Sequence, residues 1–320
     1  MKRLVRLIIS VPLWLTFFLA CPAGEPVKVT IPPGASTAAI ADSLEAHGII
    51  HSRAVFIGLS RLLGFDRRLR HGRYELRPGT GAPAALRELS RPGVTAVRVT
   101  IPEGWRLLDI ARLLEDKDIC TGPGFLAACA DPDLLAELGI PGKDAEGLLF
   151  PDTYEFETGT EPADVVLRLG RRFARVFAEL KAELPGQPLD DRETVILASI
   201  VEKEAVVADE APLIAGVFLN RLRRGLPLQS CATVQYVLPR HREVLTYADT
   251  RVESPYNTYR HEGLPPGPIS NPGRRALAAA LQPAETDYLF FVARGDGSHV
   301  FSKTWREHEK AKRRVNRGAR

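Results

Sequence analysis

The sequence predicts an α+β protein: an N-terminal membrane anchor, a repeated β-α region, then a mixed α/β domain. Three observations carry this reading. Lys2, Arg3 and Arg6 precede an apolar run from Leu7 to Cys21, the pattern of an anchor or export signal. Val27-Lys28-Val29-Thr30-Ile31-Pro32-Pro33-Gly34 returns 70 residues later as Val97-Arg98-Val99-Thr100-Ile101-Pro102-Glu103-Gly104. Finally, Val195-Ile196-Leu197-Ala198-Ser199-Ile200-Val201 is apolar nearly all round, which predicts a buried helix inside a separate domain.

Residues 1–24 are expected to form the anchor. Only Ser10, Pro12 and Thr16 interrupt its apolar run, which is short for a bilayer span yet longer than many signal-peptide cores. Cleavage, or lipidation at Cys21, stays open beside an uncleaved anchor, and all three readings carry the remaining chain across a membrane.

Over 320 residues, 45% are hydrophobic and 26% charged, enough for two or three domains with cores of their own. A net charge of +4 is too small to argue for a nucleic-acid partner. The basic tail from Lys303 to Arg320 also carries Glu307 and Glu309 and reads as a solvated helix end. Four cysteines match no zinc spacing. Cys120 and Cys129 are open between a disulfide and two small buried residues.

The first module is placed at 25–95. Its strand ends at a Pro-x-Gly turn, and Ala38, Ala41 and Leu44 then recur at helical spacing. A helix from Ser52 to Leu63, a strand from Gly72 to Leu76 and a helix from Ala82 to Leu89 complete it. The second module and its connecting helix take 96–188, with Leu107, Ile110, Leu113 and Leu114 as its first helical stripe. Gly139 to Pro151 reads as a linker, and Phe150-Pro151-Asp152-Thr153-Tyr154 opens an extended segment. Pro162 to Leu184 is an amphipathic helix, with Val165, Leu169, Phe173 and Phe177 opposite Arg168, Arg171, Arg172 and Arg175. Pro185-Gly186-Gln187-Pro188 stops it and marks the main boundary.

The last domain, 189–320, opens on a capping box of Asp190 or Asp191 with Glu193 ahead of the buried helix. A second helix is expected from Ala211 to Arg224, with Pro212 in its first turn and Gly225 at its exit. The chain then reads as loop-rich until Tyr288 to Ala293, a strand that pairs with His299 to Phe301 across an Asp-Gly turn.

Candidate chemistry begins where the buried helix ends, at Val201-Glu202-Lys203-Glu204. Residues two apart lie on nearly opposite faces, so Glu202 and Glu204 diverge. Glu204 is in register with Ile196 and Ile200, which puts one carboxyl at the edge of an apolar stripe. Desolvation there raises its pKa, as a general acid at neutral pH requires. A helix that simply becomes wet at its end fits the same pattern. Tyr256-Asn257-Thr258-Tyr259 sets two aromatic rings beside two polar side chains, a composition suited to sugar faces, hydroxyls and acetamido groups. Gly263-Leu264-Pro265-Pro266-Gly267-Pro268-Ile269 reads as a stiff loop, and a packed surface loop accounts for both stretches equally. Phosphate loops and a Ser-His-Asp set are lacking.

Taken in order, Ala198-Ser199-Ile200-Val201-Glu202-Lys203-Glu204, Val217-Phe218-Leu219-Asn220-Arg221-Leu222, Gln229 with Thr233-Val234, Tyr256-Asn257-Thr258-Tyr259 and Gly263 to Ile269 resemble the YceG-like endolytic murein transglycosylases. The likeness spans nearly the whole chain and implies LysM-like β-α modules followed by a catalytic domain. It implies that Glu204 is the acid/base, with Asn220, Gln229, Thr233, Tyr256, Asn257, Thr258 and Tyr259 binding substrate, and no metal or cofactor. The implied reaction cleaves the N-acetylmuramic acid–N-acetylglucosamine bond of nascent peptidoglycan, closes a 1,6-anhydro ring and limits strand length. The implied partners are peptidoglycan glycan strands, the membrane through the N-terminal segment, and peptidoglycan synthases, with a periplasmic catalytic domain on a bacterial inner membrane. Two departures stand out: Ala205 where the family usually has Thr, and Gln229-Ser230-Cys231-Ala232-Thr233 where it usually has Gln-Thr-Asp-Pro-Thr. A lysozyme-like hydrolase and a non-catalytic peptidoglycan-binding scaffold are the rival readings.

Overall fold

The computed structural model describes residues 24–318 apart from 33, 92, 94, 95, 141, 241 and 243. The predicted anchor lies outside the described residues, among which no helix is long and apolar enough to cross a membrane. The protein is a mixed α/β chain with small two-stranded sheets. It divides between Ala96 and Val97 into two compact units.

In the first unit, β1 (Val27–Ile31) pairs antiparallel with β2 (Gly72–Leu76), Val29 opposite Tyr74. Alternation decides which face is covered: Val29 and Ile31 are buried while Lys28 and Thr30 face water. Helices α1 (Thr37–Ala46), α2 (Arg53–Leu62) and α3 (Ala82–Leu89) close over that face with Leu44, Phe56, Leu86 and Leu89 fully buried. Ser36 and Ser52 cap α1 and α2 by accepting from Ala39 N–H and Val55 N–H.

The second unit repeats strand then helix in β3 (Ala96–Thr100) and α4 (Leu107–Asp116). Next come α5 (Gly122–Cys129), α6 (Pro132–Glu137) and β4 (Thr153–Glu157), which pairs with β3. Cys120 and Cys129 are free thiols. The long α7 (Pro162–Glu183) serves two cores. Its first turns (Val165, Val166, Leu169) pack with α4 and α5, and its later turns (Phe173, Val176, Phe177, Leu180) pack with the buried helix that follows.

That helix is α8 (Asp191–Glu204), and it carries the expected capping box between Asp190 and Glu193. Every residue from Thr194 to Val201 is buried. Around it lie α9 (Ala211–Arg223), α10 (Cys231–Val237) and α11 (Arg274–Leu281). The antiparallel hairpin of β5 (Phe290–Ala293) and β6 (His299–Ser302) follows, then α12 (Trp305–Gly318). The stretch read as loop-rich thus holds α10 and α11. Three alanines and two leucines of α11 are buried, and the run is too short and too uniformly small for its period to show in sequence.

Candidate functional site

Glu204 is the last residue of α8, and Ala205 leaves the helix in extended conformation. The glutamate keeps part of its surface exposed. Its carboxyl nevertheless lies deep, and burial is the largest influence on it, pushing the pKa upward. Three groups oppose that push, in decreasing order the Ser230 hydroxyl, the Ala232 N–H and the His299 ring. Glu202 diverges as helix geometry requires: its Oε2 accepts from Gly273 N–H at 3.0 Å. Lys203 Nζ donates to the Gly104 carbonyl at 3.2 Å. Gly104 has a left-handed φ of 73°, and a Cβ there would come within 3.4 Å of the Glu202 side chain. Its N–H donates to the Asn271 carbonyl at 2.8 Å. The Pro-Glu-Gly turn of the second β-α module therefore braces the end of α8.

Ser230 faces Glu204 from the N-cap of α10, its hydroxyl donating to Glu204 Oε1 at 2.5 Å. The Ser230 hydroxyl oxygen in turn accepts from Ala232 N–H at 3.2 Å. Behind it sits a closed hydroxyl circuit. Ser230 N–H donates to Thr258 Oγ1 at 3.1 Å, and Thr233 Oγ1 donates to the Ser230 carbonyl at 2.8 Å. Because Thr233 has one hydroxyl proton, Thr258 is the donor in the 2.8 Å contact between their oxygens. Both threonines are buried, so they shape Ser230 rather than face solvent.

The remaining predicted residues separate. Tyr259 is at the site: its Oη lies 3.2 Å from Cys231 Sγ, and both groups feel the charge of Glu204. Gln229 N–H donates to the Thr258 carbonyl at 3.0 Å, and its side-chain oxygen accepts from Arg221 Nη2 at 2.8 Å. Asn220 is turned elsewhere, with Nδ2 donating to the Thr286 and Tyr288 carbonyls at 2.6 and 3.1 Å. Asn257 is fully buried, its Nδ2 donating to the Thr250 and Val252 carbonyls and its Oδ1 accepting from Tyr259 N–H. Tyr256 packs at a tilt against Tyr236 with ring centres 4.9 Å apart and lines a cavity that Glu204 does not border.

Sequence reading passed over Ser230, His299 and Glu146. Ser230 carried one local signal, a serine ahead of a helix. Its partner lies 26 positions upstream, and only folding joins them. His299 sits 2.7 Å from Glu210 Oε2 and is held there by its own N–H. Glu146, 6% exposed, accepts from Leu107 N–H and Asn271 Nδ2, and burial pushes its pKa up to about 8. No second carboxylate figures among the groups acting on Glu204 within the described residues. Nor do three His, Cys, Asp or Glu side chains converge there as metal ligands would.

The YceG-like family model matches residues 29–314. A protein of Bacillus subtilis (strain 168) named endolytic murein transglycosylase is 33% identical over 303 residues, covering 89% of this chain and 84% of the relative. A protein of that name from Streptococcus pneumoniae serotype 2 (strain D39 / NCTC 7466) is 28% identical over 316 residues. That match covers 89% of this chain and 57% of the pneumococcal protein, so the chain spans little over half of that relative's length. The crystal structure of a yceG-like protein from Listeria monocytogenes matches with a TM-score of 0.62 at 32% identity, covering 89% of this chain and 98% of that one. With matches reaching from β1 into α12, the chain belongs to the YceG-like family.

Proposed function

We propose that this protein is an endolytic murein transglycosylase and that Glu204 alone supplies its acid/base chemistry. The first half of the proposal rests on the family and on relatives of that name at 28–33% identity over most of the chain. The second rests on one observation: a deep-lying carboxyl, its pKa raised by burial, with no carboxylate among the described residues that act on it.

Protonated Glu204 donates to the glycosidic oxygen between N-acetylmuramic acid and N-acetylglucosamine while oxocarbenium character develops at C1. The same side chain, now a carboxylate, takes the proton of the muramyl 6-hydroxyl as that oxygen attacks C1. A 1,6-anhydro ring closes, the departing sugar keeps the donated proton, and no water is consumed. Attack within one sugar has a high effective concentration, so a second acid is unnecessary. Ser230 has a single hydroxyl proton, committed to Oε1, so Oε2 is the oxygen that gives and reclaims the proton. Tyr259, Gln229 and the Thr233–Thr258 pair supply or support substrate contacts beside it. The strand-helix modules are LysM-like glycan-holding elements. The N-terminal segment anchors the protein in the inner membrane, where the periplasmic domain cuts nascent strands beside peptidoglycan synthases.

The test is Glu204→Gln with isolated peptidoglycan as substrate. General acid/base catalysis contributes about 10²–10⁴-fold, so soluble product should fall by at least that factor while circular dichroism and glycan binding persist. Mass analysis of wild-type product should show anhydro ends. Reducing ends, heavier by one water, would establish a hydrolase instead, and unchanged cutting by the variant would remove Glu204 from its role.

A further inference from the structure

We infer that the cavity beside Tyr256 is a second substrate site that takes the short peptide carried on the muramyl lactyl group of the glycan. The inference rests on the murein-cutting function proposed above. The cavity measures about 700 Å³, within the range of small-ligand sites. Its walls are α7, the first turns of α8, the 138–148 connection and the loops at Tyr256 and 266–268. Neither Glu204 nor Ser230, Cys231 or Tyr259 borders it.

The lining says what fits. Phe173, Phe177, Val195 and the prolines of the 266–268 loop make an apolar floor. Around it stand two ion pairs, Lys181 with Asp191 at 2.6 Å and Lys143 with Asp144 at 3.9 Å, together with Arg192 and Glu146. Among the described lining residues there is no Asn, Gln, Ser or Thr, and so no neutral side chain of the kind that reads sugar hydroxyls and acetamido groups, Tyr256 excepted. An occupant with alkyl side chains, carboxylates and an amino group suits these walls, and a bare glycan does not. Glu146 adds to this: burial holds its proton to about pH 8, and a ligand ammonium beside it would favour the carboxylate.

Reach agrees. Asp191 and Val195 lie 13 and nine residues before Glu204 on α8, roughly 14–20 Å along its axis. Five residues of extended peptide span about 17 Å. α10 spans part of the way: Ser230 is its N-cap, and Tyr236 stands about 9 Å further along its axis. The Tyr236 ring contacts Tyr256, which lines the cavity, and the Arg106 guanidinium lies 4.3 Å from the Tyr236 ring centre.

The experiment uses Ala174→Trp, which fills the cavity from the exposed face of α7, and Arg192→Glu, which reverses a charge on its wall. Two probes are measured on the full chain: free murein pentapeptide by calorimetric titration, and cutting of peptide-bearing strands against amidase-stripped strands. Wild type should bind the pentapeptide and prefer peptide-bearing strands at least tenfold in kcat/KM. Both variants should lose that preference and bind peptide at least tenfold more weakly, while cutting stripped strands at the wild-type rate. No pentapeptide binding by wild type, or variants indistinguishable from it with both probes, overturns the inference. A wild type that binds pentapeptide yet cuts neither strand overturns the proposed function and leaves the peptide site standing.

Discussion

Replacing Ser230 with Ala removes the hydroxyl that donates to Glu204 Oε1 at 2.5 Å and leaves burial less opposed. A hydrogen bond to a charged group is worth about 1.5–3 kcal/mol, which corresponds to roughly ten- to a hundredfold in rate if orientation of the carboxylate depends on it. The pH dependence separates this role from a merely structural one. Ser230 stabilises the ionised carboxylate, so its loss raises the pKa of Glu204. The protonated form, which must be present to start the reaction, then survives to higher pH. The alkaline limb of kcat/KM should move upward while the maximum falls. Ser230→Thr keeps the hydroxyl and the N-cap and should restore both. The assay is release of soluble fragments from isolated peptidoglycan across a pH series. An equal loss at every pH with an unmoved limb, unrescued by threonine, would refute the positioning argument.

Cys231 feels the charge of Glu204, so Cys231→Asp sets a like charge within its field. A repulsion of about 1 kcal/mol, the order expected for two close charges in water, should raise the alkaline limb and increase cutting at its edge roughly fivefold; an unmoved limb counts against the proximity of the two groups. Asn220→Ala strips two backbone carbonyls of their donor and should cost about 1–3 kcal/mol of stability by denaturant unfolding, with KM little changed. A large rise in KM with intact stability would return Asn220 to the substrate. Glu146 holds its proton to about pH 8 when folded, against 4.5 for an ordinary glutamate, so the native state binds more protons in that window and loses stability as pH rises through it. Glu146→Gln should flatten that slope, and the gain over wild type in unfolding free energy should be greatest above pH 8. At about 1.4 kcal/mol for each tenfold change in proton affinity, it amounts to several kcal/mol at most. Parallel unfolding curves for the two proteins across pH would show that Glu146 does not titrate in this range.

Local pattern alone determined most of the elements. Alternating Val and polar residues produce β1 and β3, the Asp190–Glu193 box starts α8, and the Asp-Gly turn joins β5 to β6. Helical register also separates Glu202 from Glu204, because residues two apart cannot share a face, and the two carboxyls do go to different partners. What chain order could not convey is which polar groups are already satisfied. Asn220, Asn257, Thr233 and Thr258 look in sequence like hydroxyl and amide readers. Packing leaves Asn257 and the threonines buried and gives all four partners within the protein, since an unpaired polar group away from water costs about 1–3 kcal/mol. The meeting of Ser230 with Glu204 across 26 positions, and of the Gly104 turn with α8 across 99, are contacts of tertiary origin. No local periodicity encodes them, because each depends on how α8 is enclosed from several directions at once.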